Sequence, residues 1–252
     1  MRNKTLVEKF RSARTDPALA VLEGFHPLKH AIRFGAHLEL AVGVNLDELK
    51  ELGKLYGPDI ASVLESLVEL VSKDVFHQLA PVTPPTGVIG IAQRPATSLE
   101  EMLSNPGSAP PSPAPIVLLE NPRNMLNIGA AIRVAAAAGA AGVITTGKQD
   151  PWHPAALIAS AGLHYALPVA RVEVLPASQR PLVVIDPEGE PLRSGLIPAR
   201  SILAFGAERR GVSGSLMASA YQTVSIPMCD GVSSLNLAAA VAVVLYNLRL
   251  GQ

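Results

Sequence analysis

Apolar positions along this chain follow two rhythms, one strand-like and one helical, and they alternate. Before residue 97, aliphatics at helical spacing predict helices over 27–34, 46–55 and 60–70. A short capped helix is expected over 71–77, and β-prone runs at 38–44 and 87–92 predict strands. Beyond residue 115 the alternation is cleaner. Continuous apolar runs over 116–119, 142–146, 182–186, 201–205 and 223–226 read as strands. Between and after them lie helices over 127–138, 154–161, 213–218 and 235–248. Strands that are apolar throughout belong in a sheet covered on both faces, which is the habit of parallel α/β sheets. The expected fold class is therefore α/β, with a small α/β domain preceding a parallel-sheet domain.

The boundary between them is compositional. Residues 98–115 include the run Asn105-Pro106-Gly107-Ser108-Ala109-Pro110-Pro111-Ser112-Pro113-Ala114-Pro115. Proline fixes φ and removes donors, so an extended, partly stiff linker is expected over 98–114. The expected domains are 1–97 and 115–252. With 48% hydrophobic and 17% charged residues, a sizeable core is available. There are 21 basic and 21 acidic residues, which argues against a purely electrostatic nucleic-acid binder and leaves room only for a local basic face. The single cysteine, Cys229, excludes an intrachain disulfide and fits a reducing compartment. Met1 leads into Arg2, Asn3 and Lys4, and the apolar run 237–246 is too short to span a bilayer. The expectation is a soluble, cytoplasmic protein with no membrane association.

Three polar clusters interrupt the greasy second half. The first is Asn127-Ile128-Gly129 with Arg133 on an alanine-rich helix. Asn127 can be a helix cap, and Arg133 a snorkelling side chain or an anion contact. The second is Ala204-Phe205-Gly206-Ala207-Glu208-Arg209-Arg210-Gly211, a turn at the carboxyl end of a strand, where α/β folds bind ligands. Glu208 can equally pair with a neighbouring arginine on a solvated turn. The third runs from Ile226-Pro227-Met228 to Ser233-Ser234-Leu235-Asn236 at the start of the last helix, where capping and ligand binding are both open. The six histidines show no metal-binding spacing with cysteine, so no metal is expected. Nucleotide-binding glycine motifs and a nucleophile elbow are missing from the sequence.

Taken in order, the segments Asn127-x-Gly129-x-x-x-Arg133, Leu203 to Glu208 and Ile226-Pro227-Met228 with Ser234-Leu235-Asn236 resemble the SpoU (TrmH-like) branch of the SPOUT RNA methyltransferases. Ala159-Ser160-Ala161-Gly162 and Leu167-Pro168-Val169 fit the same family's middle segment. More loosely, Phe10, Leu22-Glu23-Gly24, His30-Ala31 and Gly87-Val88 resemble the ribosomal-protein-like, kink-turn-binding domain often joined to it. The resemblance implies a deep trefoil knot in the C-terminal domain and a homodimer. It implies S-adenosylmethionine held by Ala204, Phe205, Gly206, Ile226, Pro227, Met228, Ser234 and Leu235. It implies methylation of a ribose 2′-hydroxyl in RNA, with rRNA favoured over tRNA because of the extra domain. A non-catalytic RNA-binding or ribosome-assembly protein of the same fold, or a small-molecule-binding α/β protein, is the alternative.

The catalytic set implied is Arg133, Asn127, Glu208, Ser234 and Asn236. A guanidinium is a poor base, so phosphate anchoring and hydroxyl polarisation suit Arg133 better than proton abstraction. Asn127 and Asn236 then position Arg133 and the RNA, and Glu208 orients the arginine or the ribose. Arg123, Arg209, Arg210, Arg2, Arg11 and Arg14 are the candidates for a basic RNA track. The chain departs from the family pattern at Arg123 to Leu126, which are extra residues, and at Val134, where a small hydroxyl residue is common.

Overall fold

In a computed structural model of the chain, residues 2–103, 114–207 and 210–251 are described. They divide into two compact units. One comprises Met1–Ala96 together with Trp152–Ala166, and the other Thr97–Pro151 together with Leu167–Gln252.

In the first unit, α1 (Arg2–Ala13) and β1 (Leu19–Glu23) precede α2 (Phe25–Arg33), β2 (Leu38–Gly43) and α3 (Leu46–Tyr56). Then come α4 (Ala61–Leu67), β3 (Val68–Leu70), α5 (Lys73–Phe76) and β4 (Val88–Gln93). Neither α1 nor β1 is among the elements expected from periodicity. The sheet order is β1-β4-β2-β3, with β4 antiparallel to both neighbours and β2 parallel to β3. Phe10, Val21, Val42, Phe76, Ile89 and Ile91 fill its core. The single helix expected over 60–70 is corrected: it stops at Leu67, and Val68, Glu69 and Leu70 pair in register with Ala41, Val42 and Gly43. Sheet hydrogen bonds won over a helical spacing that was locally adequate.

The second unit opens with α6 (Leu99–Leu103), which corrects part of the expected linker. Ser98 starts this turn, its hydroxyl accepting the Glu101 N–H at 3.2 Å, and Met102 and Leu103 are buried against Ile116, Leu118 and Ile202. The rest of the expected linker, 104–113, lies outside the described residues. Next come β5 (Ile116–Leu119), α7 (Met125–Ala138) and β6 (Gly142–Thr146). The chain then contributes α8 (Pro154–Ala159) to the first unit before returning. β7 (Val169–Val172), β8 (Leu182–Pro191), β9 (Ile202–Phe205), α9 (Gly214–Ala218), β10 (Gln222–Ser225) and α10 (Leu237–Leu250) complete it.

Its six strands lie in the order β10-β8-β9-β5-β6-β7, and every pairing is parallel. Strand β9 enters between β5 and β8, both earlier in the chain. The strands β5, β6 and β9 are buried along their whole length, as continuous apolar runs require. Helix α10 packs on α7, and Arg249 Nη1 donates to the Ala137 carbonyl at 2.8 Å. Among the described residues, no helix is long and apolar enough to cross a membrane.

Candidate functional site

A cavity of about 730 Å³ opens in the second unit at the carboxyl ends of β9 and β10 and the middle of β8, beside the start of α10. Its apolar lining comes from Ile185, Phe205, Ile226, Met228, Leu235 and Leu237, and its polar lining from Asn127, Asp186, Ser233, Ser234 and Asn236. Stretches of chain that are far apart in sequence therefore meet around one space of ligand size.

Each wall has a local cause. After β9 the chain turns back on itself, with a bridge between Ala207 and Gly211. The turn is so tight that a Cβ on Gly206 would lie 2.0 Å from the Gly211 carbonyl carbon, so only glycine fits. Glu120, at the end of β5, fastens the far side of this loop. Its carboxylate accepts the Ser213 N–H at 2.6 Å and the Ser213 hydroxyl at 2.5 Å, and its own N–H donates to the Phe205 carbonyl at 2.8 Å. Ser213 in turn caps α9 through the Leu216 N–H.

The start of α7 is capped by Asn124, not Asn127: the Asn124 Oδ1 accepts from Leu126 N at 2.8 Å and Asn127 N at 3.4 Å. This leaves the Asn127 side chain facing the cavity. Its Oδ1 accepts from Asn236 Nδ2 at 3.0 Å, while Asn236 Oδ1 caps α10 through the Ala238 N–H at 2.9 Å. Two helix starts are thus joined by one amide pair.

The structure brings together Asn127, Phe205, Gly206, Ile226, Met228, Ser234, Leu235 and Asn236 of the expected site. Ala204 is fully buried and Pro227 is exposed, and neither lines the cavity. Arg133 is exposed on α7 and also stands outside the lining. Glu208 and Arg209 lie outside the described residues. Arg11, Arg123 and Arg210 are exposed. Arg14 departs from its expected place on a basic track: its guanidinium pairs with Glu23 at 2.5 Å and donates to the Leu79 carbonyl at 3.0 Å. A buried partner of this kind holds the fork inside the first unit.

Sequence reasoning missed Glu120 as a loop anchor and Ile185, Asp186 and Pro187 as cavity residues. Pro187 just after an apolar run was the available signal, because proline inside a central strand marks a bulge.

A family model described as the SpoU rRNA Methylase family matches residues 114–246, more than half of the chain. The chain is 29% identical over 256 residues to a 23S rRNA (adenosine(1067)-2′-O)-methyltransferase of Streptomyces laurentii, covering 96% of this chain and 89% of that one. It is 26% identical to a 23S rRNA (uridine(2479)-2′-O)-methyltransferase of Streptomyces viridochromogenes, covering 94% of this chain and 84% of the relative. The fold is similar to that of the SpoU methyltransferase AviRb from Streptomyces viridochromogenes, solved in complex with the cofactor AdoMet. That match has a TM-score of 0.76 at 24% identity, over 99% of this chain and 97% of that one.

Proposed function

The chain belongs to the SpoU rRNA Methylase family, and from this premise we propose that it methylates a ribose 2′-hydroxyl of ribosomal RNA, using S-adenosylmethionine. The observation that carries the reading is the cavity that Asp186, Phe205, Gly206, Met228 and Ser234 line together with Asn127. The names of the Streptomyces relatives support ribosomal RNA over tRNA.

The residues present fit the cofactor. The space is about 730 Å³, enough for a nucleoside carrying an amino-acid tail. Ile185, Phe205, Ile226, Met228 and Leu235 suit a flat base, and the missing Cβ at Gly206 lets the loop backbone approach closely. When bound, S-adenosylmethionine supplies an electrophilic methyl group carried on a sulfonium. A ribose hydroxyl is a weak nucleophile whose proton must leave as its oxygen attacks. Arg133 anchors the phosphate beside the target ribose, which its planar, permanently charged fork suits. The Asn127–Asn236 pair fixes the two helix starts that flank the reacting hydroxyl. Glu208 orients Arg133 or the ribose, and the Ser234 hydroxyl holds the cofactor tail. Positioning of this kind supplies up to roughly 7–11 kcal/mol of a barrier.

The finer architecture belongs to the same proposal. Insertion of β9 between the earlier strands β5 and β8 supports a C-terminal trefoil knot. Leu126 (57% exposed), Leu235, Val243 and Tyr246 leave apolar surface on and near α7 and α10 that a second copy would cover, which supports a homodimer. Residues 1–97 recruit RNA through a kink-turn-binding type of domain, with Arg11 in contact, while Arg123, Arg209 and Arg210 serve the catalytic domain.

The test is transfer of labelled methyl from S-adenosylmethionine to ribosomal RNA from cells lacking the protein. Wild type should label one ribose. Arg133→Ala should lower the rate at least 100-fold while leaving cofactor affinity within about twofold, since anchoring acts on RNA alone. Label on tRNA only, or undiminished transfer by the variant, would overturn the substrate or the role of Arg133 respectively.

A further inference from the structure

Strand β8 leaves its ladder just where the cavity begins. Thr223 of β10 pairs with Val184, but the next residue, Val224, pairs with Glu190, so residues 185–189 bulge out of register on that side. On the other side Ile185 still pairs with Phe205. Pro187 has no N–H for the ladder. Gly189 brings the chain back, and a Cβ there would lie 2.5 Å from Val224 N. The Ser225 hydroxyl closes the excursion by donating to the Gly189 carbonyl at 2.9 Å. An interruption secured this carefully costs ladder hydrogen bonds, and what it achieves is to put Ile185, Asp186 and Pro187 on the cavity lining.

Asp186 is the one ionisable side chain in that lining among the described residues. Its Oδ1 accepts the Glu188 N–H at 3.1 Å, which sets its rotamer. A carboxylate only accepts hydrogen bonds, so the group it serves must be a donor. Elsewhere in the lining, Ser233, Ser234 and the N-terminus of α10 present hydroxyls and the positive end of a fourteen-residue helix, which draw a carboxylate-bearing amino-acid end. The nucleoside end then falls to the β8 excursion. The donors it carries as an adjacent pair are the ribose hydroxyls.

We propose that the Asp186 carboxylate accepts the 2′,3′-diol of the cofactor's ribose, making Asp186 the residue by which this cavity selects a ribonucleoside. The inference rests on the cofactor reading above.

Calorimetric titration with S-adenosylhomocysteine, its 2′-deoxyribose analogue and methylthioadenosine tests it without recourse to activity. Asp186→Asn is the informative variant, because the amide oxygen still accepts the Glu188 N–H and keeps the excursion folded. Wild type should bind the two ribose ligands and prefer S-adenosylhomocysteine over its 2′-deoxy analogue. Asp186→Asn should weaken S-adenosylhomocysteine and methylthioadenosine by the same factor, roughly 10- to 100-fold, and lose the preference for the 2′-hydroxyl. An unchanged thermal midpoint in the variant would confirm that the loss is one of recognition. Weakening of S-adenosylhomocysteine alone would assign the carboxylate to the amino group and overturn the proposal. Unchanged affinities for both would reduce Asp186 to a turn residue. Failure of wild type to bind any of the three would sink the cofactor reading itself.

Discussion

Asn236 performs two tasks with one amide, and its two atoms can be separated by substitution. The oxygen caps α10 through Ala238, and the nitrogen holds Asn127. Asn236→Asp keeps the cap but puts a carboxylate oxygen against the Asn127 oxygen. Denaturant stability should stay within about 0.5 kcal/mol, since Asp caps as well as Asn, while methyl transfer falls. Asn236→Ala loses both functions and should cost about 1 kcal/mol. Equal activity in the two variants and wild type would detach the amide pair from the site. Elsewhere in the second unit, Arg180 and Arg200 each stand two residues before the register pair Leu182–Ile202 of neighbouring strands. Arg180 is 6% exposed, and the Nε of both residues is buried without a partner among the described residues. Burial, and then the Arg200 charge, hold the Arg180 guanidinium below its ordinary range. Arg200→Met should therefore raise stability by about 1 kcal/mol in urea unfolding, because it removes a cation beside the buried Arg180 and two buried guanidinium nitrogens without a partner among the described residues.

At the scale of elements, the loop after β9 is the feature most sensitive to one added atom. Gly206→Ala places a methyl against Gly211 and Val212, so the loop must open or shift. The expected cost is roughly 1–3 kcal/mol, with loss of cofactor affinity measured by titration; full affinity in the variant would show the loop does not shape the cavity. The strand that feeds this loop was legible from its apolar run, since a fully buried strand advertises itself. Less legible were decisions between near-equals. Asn124 and Asn127 are both good caps, and only the folded geometry shows that Asn124 takes the N–H groups and frees Asn127. Likewise Leu67 to Leu70 continue a helical spacing, but β2 offers a ladder that no local pattern reveals. Of the Asp186 excursion only Pro187 gave a sign, because the register shift itself exists only in the pairing with β10, far along the chain.

Within the first unit, α2 shows how local chemistry depends on distant chain. His30 Nδ1 lies 2.6 Å from the Ala161 carbonyl, which can only accept, so this nitrogen carries the proton. Burial lowers the His30 pKa below its ordinary 6.5; the Ala161 carbonyl opposes the shift, and Lys29, Arg33 and His26 add to it. The folded unit thus favours the neutral ring more than the unfolded chain does. Stability from this group is complete above pH 6.5 and is lost as pH falls from there through the depressed folded value. His30→Asn should flatten the decline in unfolding midpoint between pH 7 and 5, and an unaltered decline would assign it to other groups.

At the scale of the whole molecule, the proline-rich boundary marks a break in composition, whereas the compact units divide the chain differently. Trp152–Ala166 belongs with Met1–Ala96 although it follows β6 in sequence. Composition reports only neighbours along the chain, so a segment returned across the boundary leaves no mark on it. The packing is close: a Cβ on Gly162 would lie 2.5 Å from the Pro27 carbonyl oxygen. Trp152, 5% exposed, contacts the rings of His164 and Tyr165 and lies under the Arg94 guanidinium at 6.0 Å. A fragment of residues 1–96 should therefore fold with an uncovered apolar face, and a peptide of residues 152–166 should bind to it in trans. Trp152 is the chain's only tryptophan, so peptide fluorescence reports docking directly. Emission should shift to the blue saturably as the fragment is added, because the indole passes from water to a buried site. Replacing Gly162 by Val in the peptide should abolish the shift, since both its φ of +78° and the pressure of Pro27 exclude a side chain. A 1–96 fragment that is folded by circular dichroism yet leaves the peptide's emission unmoved would show that α8 is held by covalent connection alone.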